Sequence, residues 1–290
     1  MDQAKKLRDL VNKHRSVLPE AKSNMRVISV TSGKGGVGKS NFTLNLGIHL
    51  ARANKRVVIV DADFGLANVE VLLGISPQYS FKEVLAGVVT LPEALAEGPE
   101  GLRLLSGGHG LTQLADISEA QMGSLIAGFD ELGAQTDIIL IDTGAGISKT
   151  VVNLLKASHE TIVVTTSDPT AIADAYAVIK AISDENVNIP TLKIVINRVE
   201  NQKEGLDVFN RLYRVCSRFL QIKPLNLGSI PYDRYLARAV KSQEPVTLLY
   251  PNAESSRSIE VISKRLLDEP VTESTGIMQF VGRLVGFMKK

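Results

Sequence analysis

The stretch VISVTSGKGGVGKS, residues 27–40, decides the fold, because it places the spacing G-x-x-x-x-G-K-S directly after an apolar, β-branched run. A helical pattern at residues 39–53 follows the glycine-rich segment. Glycines let a backbone curl so that its N–H groups point into one concavity, and the following helix adds its positive end. The stretch therefore predicts a phosphate-binding loop between a strand and a helix, and a chance glycine-rich turn is the alternative.

The polar side chains of this loop have expected tasks. We expect Lys39 to bridge the β- and γ-phosphates of a nucleotide and the Ser40 hydroxyl to ligate Mg²⁺. Backbone N–H groups would supply the other phosphate contacts. The predicted nucleotide contacts of the loop are Gly33, Gly35, Gly36, Val37, Gly38, Lys39 and Ser40.

Strand-like runs alternate with helical patterns from residue 26 onward. Such alternation is typical of βαβ units, which build a mostly parallel sheet with helices on both faces. The continuously apolar run at residues 57–60 fits a strand that is buried on both sides. We therefore expect an α/β fold, with a mostly parallel central sheet flanked by helices, over residues 25–267 and a polar linker at residues 268–276.

The composition is that of an ordinary globular protein, with 44% hydrophobic and 22% charged residues among 290. No apolar run reaches the ~18–20 residues that span a bilayer, and the polar N-terminus lacks the apolar core of a secretory signal. The one cysteine, Cys216, cannot form an internal disulfide or hold a metal cluster. These features predict a cytoplasmic protein.

The net charge of +2 is unevenly distributed. Residues 1–26 contain seven Lys or Arg against three acidic residues, and residues 277–290 contain three basic residues and no acid. The body between them, residues 27–276, has a net charge of −5. Basic ends on a mildly acidic body indicate two appendages that have partners of their own.

Aspartates follow two of the predicted strands. Asp61 and Asp63 come after the run at residues 57–60, and Asp142 comes after the run at residues 138–141. Ligands of parallel sheets bind beyond the carboxyl ends of the strands, so these carboxylates should converge on the phosphate loop. Carboxylates suit Mg²⁺ and an attacking water, and simple helix caps are the alternative.

The heptapeptide KGGVGKS, residues 34–40, resembles the deviant Walker A signature of the MinD/ParA class of ATPases. In that class the extra lysine, here Lys34, reaches across a nucleotide-sandwich dimer and supplies positive charge to the partner's phosphates. A solvated surface lysine is the alternative for Lys34. The resemblance implies an ATP-dependent homodimer that uses ATP, ADP and Mg²⁺, with Lys34, Lys39 and Asp63 as catalytic residues.

The same resemblance assigns the aspartates. Asp63 corresponds to the aspartate of the first switch segment, which positions the attacking water. Asp142 corresponds to the Walker B aspartate in the outer coordination sphere of Mg²⁺, where the second switch begins. Asp61 is expected to support the Mg²⁺ side, so the expected metal set is Ser40, Asp61 and Asp142.

Two further strand ends hold the predicted base-binding residues, which are Asn197, Arg198, Pro231 and Asp233. In the MinD/ParA class such positions frame adenine, with the asparagine side chain on the edge of the base. A helix cap is the alternative for Asn197. The spacing alone does not exclude GTP, so ATP follows from the resemblance.

The C-terminal residues 277–290, IMQFVGRLVGFMKK, separate into an apolar and a basic face at helical spacing. This is typical of an amphipathic helix on an anionic membrane surface, and it is similar to the membrane-targeting sequence of MinD-like proteins. A short helix with two glycines is marginal in water, so its apolar face must be covered, and permanent docking on the body is the alternative. Two tails on a dimer would bind more firmly than one. The predicted membrane contacts are Ile277, Phe280, Val281, Leu284, Phe287 and Met288.

The N-terminal residues 2–8, DQAKKLR, match the D-Q-A-x-x-L-R motif of the FlhG family, MinD-like ATPases that control flagellar number. In that family the N-terminal helix, here residues 1–24, activates FlhF, an SRP-type GTPase, through a glutamine that enters the GTPase site. On this resemblance Gln3 carries the activation. A solvated basic arm is the alternative.

The resemblance thus covers the whole chain and implies a peripheral membrane ATPase that regulates flagellar number or placement. Flagellar C-ring proteins and a master transcription activator are candidate partners by the same resemblance. A ParA-type ATPase that positions DNA, or one for the division site, is the alternative, but the acidic body predicts no direct nucleic-acid contact. An iron–sulfur carrier would need two cysteines per subunit, and a non-hydrolysing module would not need Lys39, Asp63 and Asp142.

Overall fold

A computed structural model of the protein describes residues 25–63, 68–107, 119–183, 189–268 and 280–284. Within these ranges one eight-stranded sheet has its strands in the order β3-β4-β2-β5-β1-β6-β7-β8, and every neighbouring pair is parallel except β3 with β4. The strands are β1 (Arg26–Thr31), β2 (Val57–Ala62), β3 (Ala96–Glu97), β4 (Arg103–Ser106), β5 (Ile138–Thr143), β6 (Glu160–Thr166), β7 (Thr191–Val199) and β8 (Leu225–Pro231).

Helices cover both faces of this sheet, which confirms the predicted α/β architecture. The helices are α1 (Lys39–Arg52), α2 (Asn68–Leu73), α3 (Phe81–Leu85), α4 (Glu119–Ala134), α5 (Lys149–Ala157), α6 (Pro169–Ile182), α7 (Gln202–Phe219), α8 (Arg234–Lys241), α9 (Val246–Leu249) and α10 (Glu254–Asp268). No helix in the described ranges is long and apolar enough to cross a membrane.

The core consists of two layers because alternate residues of a strand face opposite sides of the sheet. In β2, Val58 and Val60 pack with residues of α3, α4 and α5. Val57 and Ile59 pack with residues of α1 and α10 on the other face. All six residues of β2 are buried, as a central strand between two helix layers requires.

The strand order brings three strand ends together at one edge of the sheet. β5 lies between β1 and β2, and its register pairs Asp142 with both Asp61 of β2 and Val30 of β1. The glycine-rich loop leaves β1 at this same edge and leads into α1. The register therefore places Asp61 and Asp142 side by side at the edge where the phosphate loop begins.

The described part of the C-terminal tail, residues 280–284, forms a helical turn docked on the body. Phe280, Val281 and Leu284 are at most 4% exposed and join the core cluster under α3 and α4. Three of the predicted membrane contacts are thus covered by the body. This arrangement corresponds to the alternative in which the tail docks on the body. The other three, at positions 277, 287 and 288, lie outside the described residues, as do the N-terminal helix with Gln3 and residues 269–276 of the predicted linker. The first residue of that predicted linker, Asp268, is instead the last residue of α10, so the predicted start of the linker is wrong.

Candidate nucleotide site

The phosphate loop has the backbone shape that its glycines allow. Gly36 and Gly38 have φ angles of 78° and 95°, in the left-handed region that glycine tolerates best. A Cβ added at Gly38 would collide with the side-chain amide of Asn197. Gly38 is therefore required both for the curl of the loop and for the close approach of β7.

Lys39 is buried and paired within the site. Its Nζ lies 3.0 Å from Asp142 Oδ1 and donates to Ser40 Oγ at 3.3 Å. Thr43 Oγ1 donates to the same Asp142 oxygen at 2.9 Å. The structure therefore brings together the predicted lysine, hydroxyl and aspartate, and it adds Thr43, which sequence reasoning missed.

The other carboxylate oxygen of Asp142, Oδ2, is buried and has no hydrogen-bond partner in the structure. An unpartnered buried carboxylate oxygen is costly unless a donor or a cation reaches it. No group of three His, Cys, Asp or Glu in the described ranges could enclose a metal ion. This donor set fits Mg²⁺, which keeps several waters and usually binds one or two protein ligands together with substrate phosphates.

Asp61 accepts backbone hydrogen bonds from Asp63 and from the first turn of α2. Its Oδ1 accepts from the Asp63 N–H at 3.2 Å, and its Oδ2 accepts from the Val69 N–H at 3.0 Å. Burial raises the pKa of Asp61 to about 7, and the charge of neighbouring Asp142 adds to the effect. Both oxygens of Asp61 are thus engaged by the backbone, and its support of the Mg²⁺ side stays a prediction.

Asp63 faces the segment that follows β5. Asn68 Nδ2 donates to Asp63 Oδ2 at 3.0 Å, and a Cβ added at Gly144 would lie 3.6 Å from Asp63 Oδ1. Gly146, two residues further on, has φ 92° and donates its N–H to the Ser32 carbonyl at 2.8 Å. The two segments predicted to be switches therefore meet beside the phosphate loop.

Lys34 is engaged by its own chain. Its Nζ donates to Asp168 Oδ2 and to Thr170 Oγ1, both at 2.9 Å, at the start of α6. The hydrogen bond from Lys34 lowers the pKa of Asp168, and the Thr170 N–H and hydroxyl bonds add to it. Lys34 is neither buried in the site nor freely solvated, since its side chain is 44% exposed and paired.

The predicted base-binding residues are partly occupied by contacts within the chain. Asn197 Nδ2 donates to the Val37 carbonyl at 2.7 Å, and its Oδ1 accepts the Arg198 N–H at 2.9 Å. The helix-cap alternative for Asn197 is wrong, because Asn201 caps α7. Asn197 fixes the phosphate loop, and exposed Arg198 follows with a left-handed φ of 57°.

Asp233 joins two helices near the end of β8, the strand that Pro231 completes. Its Oδ1 accepts from the Tyr235 N–H at 2.8 Å, and its Oδ2 accepts from the Ser255 N–H and hydroxyl at 3.0 and 2.9 Å. Burial acts to raise the pKa of Asp233, but these bonds outweigh it and lower the value. The Asp233 carboxylate thus shapes the loop, and a contact of its own with the base stays a prediction.

Comparison with known proteins gives the family. The model of the ParA family, described as NUBPL iron-transfer P-loop NTPase, matches residues 23–267. The antiactivator FleN of Pseudomonas aeruginosa is 35% identical over 263 residues, which is 90% of this chain and 94% of FleN. The flagellum site-determining protein YlxH of Helicobacter pylori is 35% identical over 294 residues, 99% of each chain.

Solved structures agree with this assignment. MinD in the MinC:MinD complex of Aquifex aeolicus has a TM-score of 0.65 and 26% identity, covering 87% of this chain and 99% of that one. MinD of Pyrococcus horikoshii, solved with Mg-ADP, has a TM-score of 0.66 at 23% identity and shares the fold, covering 84% of this chain and 96% of its own. The phosphate-loop geometry and the two 35% identical relatives together place the chain in the FleN/YlxH (FlhG) group of the MinD/ParA family of P-loop NTPases.

Proposed function

We propose that the protein is a MinD-like ATPase that dimerises with ATP, associates with the membrane and regulates flagellar number or placement. The observation that carries the ATPase is the convergence of the phosphate loop, Lys39, Ser40 and Asp142, whose Oδ2 has no partner, at one edge of the sheet. The flagellar role is supported by the printed names of FleN and YlxH.

The chain's own residues account for the chemistry. Mg²⁺–ATP would supply the transferable phosphoryl group, and the metal would neutralise its developing charge. Lys39 and the loop N–H groups hold the phosphates, and Ser40 with Asp142 holds the metal side. Asp63, fixed by Asn68, accepts a hydrogen bond from the attacking water and orients it.

Dimerisation would place two copies face to face at the loop edge. Three large apolar side chains at this edge are exposed: Val71 of α2 by 55%, Ile147 after β5 by 56% and Tyr232 after β8 by 70%. A face-to-face dimer would cover such residues. Lys34 must break its ion pair with Asp168 before it can reach the partner's phosphates. This pair at the start of α6 therefore opposes dimerisation.

ATP hydrolysis tests this mechanism. Lys34→Ala should still bind ATP in the full chain but should lose about 100-fold or more in kcat, as for loss of a cation supplied in trans. Lys180→Ala is the matched control, because Lys180 is an exposed lysine of α6 away from the loop edge. Normal turnover by Lys34→Ala would contradict the role of this lysine.

The tail would be the membrane contact of the ATP-bound dimer. Phe280, Val281 and Leu284 pack against an apolar groove of the body and line a small cavity together with it, and this docked tail would be the resting state. Arg283 is half-buried there, and no hydrogen bond or ion pair joins it to another described residue. Desolvation of this arginine, which lowers its pKa, opposes docking and favours release to an anionic surface.

The groove touches the nucleotide site through β5 and α5. Ile141 lines the groove and immediately precedes Asp142, while Leu154 lines it from α5. A Cβ added at Gly144 would lie 3.8 Å from Val151 on the same helix. Movement of the segment after β5 would therefore displace α5 and open the groove, which couples the nucleotide state to tail release.

Liposome co-sedimentation tests the membrane switch. Vesicles with anionic lipid should pellet the full chain with ATP and should fail to pellet a chain without residues 277–290. Leu125→Ala enlarges the groove without changing the tail, so it should increase pelleting without ATP. Equal pelleting with and without the tail, or a Leu125→Ala protein that loses stability but never pellets, would contradict the switch.

Stimulation of a GTPase belongs to the same proposal. It is supported by the DQAKKLR motif and by alignment of YlxH with 99% of this chain. Gln3→Ala should retain ATPase activity and lose stimulation of an FlhF-type GTPase, whereas Gln121→Ala is a control on α4 in the body. Full stimulation by Gln3→Ala would contradict the assignment.

Helix α7 offers a surface for a protein partner such as a C-ring protein. Arg211, Arg214 and Arg218 are exposed on one face, and none has an acidic partner among the described residues. Phe219, 65% exposed, and Val215 lie beside them. Arginine beside an exposed aromatic ring is typical of protein interfaces. The same three arginines are the observation that favours the DNA-positioning alternative.

Charge reversal separates these two partners. Arg214→Glu should abolish binding to C-ring proteins in pull-down, with Arg257→Glu on α10 as the control. Salt-dependent retention of DNA that is lost in Arg214→Glu would favour the DNA alternative instead. A cluster carrier is disfavoured, because Cys216 is buried and burial raises its pKa to about 11.

A further inference from the structure

We propose that residues 243–249, here called the strap, position Asp63 for hydrolysis by fixing the far end of α2. The strap includes α9 and lies between α1, the helix of the phosphate loop, and the end of α2. Thr247 of the strap is a positioning residue, because it acts through α2 rather than on the reacting atoms. This inference deepens the proposed ATPase function and rests on it.

One face of α1 bonds every polar group of Thr247. The Thr247 N–H donates to Asn45 Oδ1 at 3.0 Å, and its hydroxyl lies 3.1 Å from His49 Nε2. Arg52 Nη1 donates to the Thr247 carbonyl at 3.4 Å. Asn45, His49 and Arg52 share a helix face by their spacing. Because Thr247 is fully buried, a lost bond leaves a polar group unsatisfied.

The clamp on Thr247 is built from fixed groups. Burial lowers the pKa of His49 to about 4, so its imidazole is neutral near pH 7 and has one acceptor nitrogen. Asn45 is oriented by its own bond, since its Nδ2 donates to the Asn41 carbonyl at 2.8 Å. The strap is therefore held to α1 by a defined set of bonds.

The other end of the strap abuts the end of α2. Gly74 has a left-handed φ of 63°, and a Cβ added there would lie 3.5 Å from the Gln243 carbonyl oxygen. Gln243 also has a left-handed φ, of 55°. Leu73 of α2 and Leu248 of the strap pack on the same core cluster. The end of α2 thus rests on a strap that α1 holds in place.

The start of α2 carries the group that orients Asp63. Asn68 Nδ2 donates to Asp63 Oδ2, and the Val69 N–H donates to Asp61. Helix α2 has six residues and should move as one rigid unit. Asp61 fixes its start, and the strap fixes its end. A displaced strap would tilt this unit and re-aim Asp63, and such misplacement lowers the rate of reaction more than it lowers binding.

Three substitutions in the full chain test the strap. Thr247→Val keeps the shape and removes the hydroxyl, while Thr247→Ser keeps the hydroxyl. Thr161→Val is the matched control, because Thr161 is fully buried in β6 and its hydroxyl has no hydrogen-bond partner in the structure. Amide hydrogen exchange of residues 68–75 without nucleotide and steady-state ATP hydrolysis are measured for each variant.

We expect Thr247→Val to exchange at least about fivefold faster at residues 68–75 and to lose about 5- to 20-fold in kcat, with KM changed less than about twofold. Thr247→Ser and Thr161→Val should match the wild type. Unchanged exchange, faster exchange with unchanged kcat, or an equal loss in Thr161→Val overturns the proposal. If the wild-type chain hydrolyses no ATP, the proposed function fails, and the exchange measurement still tests the strap.

Discussion

Two clusters of buried charge lie at opposite ends of the sheet, and only one of them is paired completely. At the amino ends of the strands, Glu160 accepts two bonds from Arg26, at 2.7 and 2.9 Å, and lies 3.0 Å from Lys193. At the carboxyl ends, Asp142 uses one oxygen for Lys39, while its other oxygen has no partner in the structure. The first cluster is closed, and the second is open toward the phosphate loop.

The carboxylates of Glu160 and Asp61, at the two ends of the sheet, also differ in the direction of their pKa shifts. Burial acts to raise the pKa of Glu160, but Arg26 and Lys193 outweigh it and lower the value. Burial raises the pKa of Asp61 to about 7, and Asp142 adds to the rise. A cluster whose buried charges are all paired holds strands together. A cluster with an unpaired buried carboxylate oxygen is suited to bind a cationic ligand.

The largest expected effect is on stability at the closed cluster. Glu160→Ala removes the anion shared by two buried cations and should lower the free energy of unfolding by about 3–5 kcal/mol. Denaturant unfolding of the chain without nucleotide measures it, with the exposed Glu254→Ala as the control. A decrease in the free energy of unfolding below about 1 kcal/mol, as for a surface ion pair, would contradict the contrast between the two clusters.

The next effect is on binding at the open cluster. Lys39→Met removes the cation beside Asp142 and should weaken ATP binding about 10- to 100-fold, as expected for a lost charged hydrogen bond. Titration with a fluorescent ATP analogue measures the affinity, and Lys180→Met is the control. An unchanged affinity would show that Lys39 does not contact the phosphates.

The pH dependence should have opposite signs at the two clusters. Asp61 has a raised pKa, so the folded chain retains a proton that the unfolded chain has lost, and this contribution to stability falls as the pH rises from about 4 to about 7. Glu160 has a lowered pKa, so its contribution is lost only as the pH falls through the value of the folded chain. Asp61→Asn should flatten the fall between pH 4 and 7.

Unfolding measured across pH 4–7 checks this, with Asp207→Asn on the exposed face of α7 as the control. If Asp61→Asn leaves the slope of the wild type unchanged, Asp61 is ionised in the folded chain and the contrast between the clusters fails.

The smallest expected effect is at the exposed pair of Lys34 and Asp168. Asp168→Asn should leave the free energy of unfolding close to the wild-type value, because exposed ion pairs contribute little to stability. Releasing Lys34 should nevertheless tighten the ATP-dependent dimer by about two- to fivefold. Sedimentation across protein concentrations measures the dimer constant. A weaker dimer would mean that Asp168 acts in the dimer rather than against it.

Local sequence pattern predicted most of the fold. The strands formed by β-branched runs and the helix Lys149–Ala157 were predictable. Each has enough residues to show the hydrophobic pattern of a strand or a helix. The antiparallel strand Ala96–Glu97 has only two residues, which are too few to show a hydrophobic pattern. It pairs with β4 through tertiary context, which short-range patterns do not contain.

The site was predictable where its residues follow strands and not where contacts join distant segments. The convergence of Lys39 with Asp142 follows from the register of parallel strands. The pairing of Lys34 with Asp168 joins positions far apart in the chain, although the Asp-Pro start of α6 predicts a helix cap there. Docking of the tail is also non-local, since an apolar face fits a groove or a membrane equally well.

The molar mass of the full chain in solution tests the central claim most directly. Light scattering should give about twice 31.3 kDa with Mg²⁺ and a non-hydrolysable ATP analogue, and 31.3 kDa with ADP. Lys34→Ala should remain a monomer with the analogue bound. A wild-type chain that remains a monomer with saturating analogue and Mg²⁺ would contradict the account of Lys34, Asp168 and the dimer.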